Sequence, residues 1–236
     1  MRRFKYDHWD VGVRTCNRLM AWRSINALMC VGLSVLAAGC STSSSSVPTI
    51  AVGGIGPGSS SRQIVEGIAG PLSTSTWLSS WKFKVRDSEE LPLDLVGRLL
   101  VGAGRDEASQ SSAASQSGVV TAASSLYAIV PSAGGNAQGG ASIELIQFDS
   151  NSNALSFSRA VQGKNNGNPV PGIPDSQALT TSAGTGTNCG SDCFGESVQF
   201  PEKNHVVIVS TSCAFRSCSQ LATDVAQSLN RSLKGT

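Results

Sequence analysis

Histidine is nearly absent from this chain: His8 and His205 are the only two in 236 residues. Ser-His-Asp and Cys-His catalysis both need an imidazole base, and no Gly-x-Ser-x-Gly elbow occurs to go with one. Ser79-Ser80-Trp81-Lys82 matches Ser-x-x-Lys only formally, because it precedes an expected strand instead of opening a helix. Tight Cys-x2-Cys pairs are missing too. Cys189-x3-Cys193 and Cys213-x4-Cys218 are spaced differently from common zinc and redox motifs. Asp149, Asp175 and Asp192 fall in expected loops without the calcium-loop pattern, and adjacent Glu89-Glu90 reads as a solvated turn. No catalytic residue, cofactor or metal is therefore expected. Charged residues make up 14% and aromatics 6% of the chain. The uncharged apolar stretch Ser24–Gly39 is short of the roughly 20 residues that cross a bilayer as a helix.

That stretch follows Arg23, ends in Leu36-Ala37-Ala38-Gly39-Cys40, and gives way to Ser41-Thr42-Ser43-Ser44-Ser45-Ser46. A positive flank, a short apolar core, small residues and a cysteine resemble a bacterial lipoprotein signal peptide with its lipobox. The resemblance implies that residues 1–39 are removed and that Cys40 becomes an acylated first residue. Ser41 after the lipidated cysteine is similar to lipoproteins sent to the outer membrane. An ordinary secretory signal is the alternative reading. Met20-Ala21-Trp22-Arg23 would be the more usual start of such a leader, making Met20 a second candidate for the first residue.

Without the leader the charge changes sign. The whole chain carries a net charge of +2, but six of its eighteen basic and two of its sixteen acidic residues fall before Cys40. Twelve against fourteen remain, a net charge of −2. Nucleic-acid binding needs a basic stripe to neutralise phosphates, so no nucleic-acid partner is expected. Trp81-Lys82-Phe83-Lys84-Val85-Arg86 reads as an alternating strand.

Residues 40–61 read as the lipid anchor plus a flexible Ser/Gly/Pro tether. Residues 62–236 read as a single globular domain, with loops near 105–118 and 162–187. Within it we expect a helix at Arg62–Ala69 stopped by Gly70-Pro71, a strand at Trp77–Val85, and a helix at Leu93–Val101 after Pro92. A strand is expected around Leu126–Val130. A hairpin is expected from Ile143–Phe148 and Ala154–Arg159 around the polar turn 149–153, since Leu155 and Phe157 alternate with serines. Glu196–Phe200 and His205–Thr211 read as strands, the unbroken apolar run Val206–Val209 as one covered on both faces. A last helix, capped by Ser217 with Gln220, carries the stripe Leu221, Val225, Leu229, Leu233, widened by Ala222 and Ala226.

Cys189, Cys193, Cys213 and Cys218 bracket the last two strands. In an oxidising compartment an even set reads as disulfides. If Phe200 pairs with His205, nested Cys193–Cys213 and Cys189–Cys218 bridges fall near register. The expected fold is α+β: an antiparallel sheet with the C-terminal helix on one face and a disulfide-stapled C-terminal hairpin. An all-β sandwich with an appended helix is the alternative. The expected role is that of a non-enzymatic, lipid-anchored subunit of an envelope assembly (secretion, conjugation, pilus or outer-membrane machine). Its partners would be the membrane and other envelope proteins. A periplasmic ligand-binding module, using Trp77, Trp81, Tyr127 and the 162–187 loop, is the second reading; a hydrolase with His205 or an acidic pair lining a cleft is the third.

Overall fold

The computed structural model describes residues 47–50, 59–165, 167–182, 194–214 and 218–234. The described residues form a three-layer α+β domain. Its helices are α1 (Ser61–Thr74), α2 (Leu93–Val101), α3 (Glu107–Gln116), α4 (Asn151–Gln162) and α5 (Cys218–Lys234). Its strands are β1 (Trp81–Glu90), β2 (Val119–Pro131), β3 (Gly139–Phe148), β4 (Gln177–Ser182), β5 (Phe194–Glu202) and β6 (His205–Cys213). They make one sheet in the order β1-β2-β3-β6-β5-β4, with every pairing antiparallel.

α1 and α5 cover the first face of the sheet; α2, α3 and α4 cover part of the second. β6 shows why the sheet is central. Val207 and Val209 enter the apolar cluster under α1 and α5, while Val206 and Ile208 enter the one under α2–α4, and all four are buried. The continuous apolar run is thus a strand buried on both sides. The expected stripe of α5 is wholly buried against β5 and β6. The expected bounds of α2 also hold, with Pro92 as N-cap.

The expected strand Trp77–Val85 is shifted: β1 starts at Trp81, to which Trp77 is joined by a bridge, and runs on through Glu89-Glu90, which are strand and not turn. Three further expected elements come out differently. Residues 105–118 are not a loop, because Asp106 caps α3 by accepting from Ser109 N at 2.8 Å and Ser109 Oγ at 2.9 Å. Alanines and serines suit α3 because it rides directly on α2. The Gln110 backbone approaches Gly97 so closely that a Cβ there would lie 1.7 Å from its carbonyl oxygen.

Ala154–Arg159 is not a strand but part of α4. Ser150 caps it, and Ala154, Phe157, Ser158 and Val161 are buried at helical spacing. The two-residue alternation at Leu155 and Phe157 was incidental to that stripe. α1, finally, continues through Gly70-Pro71 to Thr74. Ser73, Thr74 and Ser75 donate hydroxyls to the carbonyls of Ala69 and Pro71, satisfying acceptors at the helix end.

The disulfide pairing also differs from the nested one expected. Glu202 pairs with His205 and Phe194 with Cys213, so the strands join through the two-residue turn Lys203-Asn204, with Lys203 at φ 53°. The register is therefore shifted from the one assumed from sequence. Cys213 ends β6 and Cys218 opens α5, with Cα atoms 5.7 Å apart and a disulfide between them. Each is the other's partner, so neither nested bridge forms. Cys189, Cys193 and Ser217 lie outside the described residues.

Candidate functional site

Sequence reading places chemistry at Cys40, at the cysteines, at His205 and at an aromatic pocket. Cys40 lies outside the described residues. His205 opens β6, opposite Gln147 of β3 and Glu202 of β5. Its Nε2 is buried with no hydrogen-bond partner among the described residues. Burial first, and then the Lys203 charge, hold its pKa below the usual histidine value, so it is neutral at pH 7. A Ser-His-Asp relay needs that imidazole bonded to a nucleophile and an acid, and no such hydrogen bond is formed among the described residues. Its row instead runs through Thr121, Gln147 and Glu202. There Thr121 Oγ1 donates to Gln147 Oε1 at 3.0 Å and Asn230 Nδ2 to Glu202 Oε2 at 3.2 Å.

The aromatic pocket is a core. Trp77 and Phe83 meet edge-to-face at 5.9 Å and Phe83 and Tyr127 at 5.8 Å, all three buried. Trp81 packs on the rim of that cluster. The Tyr127 hydroxyl is buried without a hydrogen bond of good geometry. Burial pushes its pKa up to about 12, only partly opposed by the Ser125 hydroxyl, which is itself bonded to Ser88 at 2.6 Å. Of the expected 162–187 loop, Gln177–Ser182 is instead strand β4, while residues 163–165 and 167–176 are irregular. Val170 and Ile173 enter the main core. Buried Ser176 Oγ ties their backbones together, donating to Ile173 O at 2.7 Å and accepting from Val170 N at 3.1 Å. Gln227 of α5 holds Pro171 O from the other side.

Two features that sequence reading missed are better candidates. The first is where the chain enters the domain. Val47–Ile50 lie within the expected flexible tether, yet Ile50 is fully buried in the main core. Ser228 of α5 donates to Pro48 O at 2.6 Å and accepts from Ile50 N at 2.9 Å; Ser232 donates to Ile50 O. A short strap is thus latched along α5. The signals in the sequence were Ile50, an apolar residue in a polar segment, and two serines four apart on α5.

The second is the part of the sheet's second face beyond the helices. Glu144 of β3 lies on the same face, opposite Ser124 and Ile208, both buried. Burial raises its pKa. The next row runs Leu126, Ser142, Ser210, Ser197, with Ser197 and Ser210 hydroxyls 3.0 Å apart and Leu126 exposed. Neither Glu144 nor any residue of that row belongs to the second apolar cluster. Such a small-residue hydroxyl surface can exchange hydrogen bonds with a partner but activates no nucleophile.

Among the described residues no three His, Cys, Asp or Glu side chains group as a metal site. No helix there is long and apolar enough to cross a membrane. Asp175 pairs with Arg159 at 3.2 Å, and Asp149 accepts from Asn153 at 2.7 Å.

No protein-family model and no curated protein sequence matches the chain. Among solved structures, it is similar to the extracellular domain of PknH from Mycobacterium tuberculosis at 12% identity and a TM-score of 0.37, over 64% of this chain and 81% of that one. At that score the likeness carries no inference about role.

Proposed function

We propose that the chain is a lipid-anchored, non-enzymatic protein of the bacterial cell envelope, acting as a structural or accessory subunit of an envelope assembly. The observation that carries this reading is Leu36-Ala37-Ala38-Gly39-Cys40, followed after a few polar residues by the latched strap Val47–Ile50. Lipidation at Cys40 would leave seven peptide steps to Val47, which span at most about 25 Å. The domain would then stand close to the membrane, with the strap end of α5 toward it. The Cys213–Cys218 disulfide suits an oxidising compartment outside the cytoplasm. Ser41 directs the proposal to the outer membrane.

The ligand-binding reading loses Trp77 and Tyr127, which fill the core. The experiment is in-cell crosslinking followed by detergent extraction and sizing of a C-terminally tagged copy. A large, reproducible assembly supports the proposal. A lone monomer in the membrane fraction removes the assembly part and leaves the anchor.

A further inference from the structure

Among the described residues β1 ends the sheet, with β2 on one side and only the Trp77 backbone bridging its first residue, Trp81, on the other, and its charges are sorted. Lys82 and Lys84 lie in its first half, Asp87 and Glu89 in its second. Plain alternation would put the two lysines on one face and the two acids on the other. The bulge between Val85 and Asp87 resets the alternation. The four residues consequently pair with Val130, Ala128, Leu126 and Ser124, alternate positions of β2 that share one face. One face of the edge strand therefore reads plus, plus, minus, minus. Lys84, Arg86 and Asp87 are exposed, and Lys82, Lys84 and Asp87 form no ion pair among the described residues.

A row of that kind is self-complementary under a two-fold rotation. An antiparallel second copy sets Lys82 against Glu89 and Lys84 against Asp87, each pair occurring twice. Phe83 then faces Ser88, and Val85, 40% exposed, comes to the axis beside Arg86. We propose that β1 is a self-association edge onto which a second copy of this chain adds, joining the two sheets. Lysines alone on an edge repel a second copy; here the acidic half supplies their complement.

One strand buries less than the roughly 1,200 Å² of a stable interface, so the contact is weak in solution and sensitive to salt. Confinement on a membrane would strengthen it by raising the effective concentration; that strengthening, unlike the edge pairing, rests on the lipid anchor proposed above.

The test uses the full mature chain in detergent, by sedimentation velocity and chemical crosslinking. One variant is made all acidic on this row (Lys82→Glu with Lys84→Glu) and another all basic (Asp87→Lys with Glu89→Lys), with folding checked by circular dichroism. Wild-type protein is expected to dimerise with rising concentration and to dissociate with added salt. Each variant alone should associate about tenfold more weakly or worse, and an equimolar mixture should form heterodimers. The proposal is overturned by wild-type protein that stays monomeric at the highest attainable concentration, or by folded variants that dimerise as wild type does. Mixed variants that fail to associate, or membrane crosslinks from Lys84 to a different protein in place of a second copy, overturn it as well.

Discussion

Glu144 is a carboxylate on the central strand β3 whose pKa burial raises, and Glu196, Glu202 and Asp224 are raised chiefly by the same cause. A raised carboxylate keeps its proton in the folded state where the unfolded chain has released it. The stability it contributes is fully present below the ordinary value, 4.5 for glutamate, and is lost as pH rises through the folded value. His205 works in the opposite sense: its lowered pKa favours the fold above 6.5, and that contribution is lost as pH falls through the folded value. Glu144→Gln should therefore raise Tm by a few degrees near pH 8, with the gain fading toward pH about 4.5; a pH series of thermal melts checks it. Tyr127→Phe removes a buried hydroxyl without a good partner and should change stability by less than about 1 kcal/mol, in contrast to the usual loss of a buried hydrogen bond. Gly97→Ala sets a methyl against the Gln110 carbonyl. It should cost about 1–3 kcal/mol in a denaturant titration, since the α2–α3 contact must open to admit it.

Elements differ in how plainly the chain announces them. α2, α5 and β6 were legible because each carries a periodic or continuous apolar signal together with a boundary residue such as Pro92. α3 was not, because its packing depends on small residues against Gly97 and its signal was one cap, Asp106. α4 was misread because Leu155 and Phe157 mimic a strand, while the buried stripe uses Ala154 and Ser158, which look like surface or loop residues. The strap was hidden for a similar reason: a single isoleucine in Ser/Gly/Pro sequence gives no pattern, and its latch lies about 180 residues away along the chain. Ile50→Ala should cost about 2–5 kcal/mol, as for other fully buried aliphatics. If the strap opens on its own, it should also speed hydrogen exchange at Ile50 before the sheet is affected. Breaking the Cys213–Cys218 bridge by replacing both cysteines with alanine should cost about 2 kcal/mol, the closed loop being short; guanidinium unfolding measures it.

At the scale of the whole molecule, sequence reading gave the layer order only in outline. An antiparallel sheet under a C-terminal helix was legible; the second helical layer was not, because α3 and α4 were both missed. The candidate site was less legible still. Both histidine and aromatic candidates turn out to be packing residues, whereas the strap and the sorted charges of β1 become visible only when register and bulge bring distant or alternating positions together. The described residues form a disulfide-bearing domain whose strap Val47–Ile50, latched onto α5, follows a lipobox-like sequence. The proposed lipidation at Cys40 is tested by intact-mass and N-terminal peptide mass spectrometry of the protein purified from bacterial membranes, beside a Cys40→Ser copy. The expected result is a mature chain that begins at Cys40 and carries thioether-linked diacylglycerol, with membrane association lost in the variant. A mature chain beginning at another residue, or an unmodified Cys40, would contradict it.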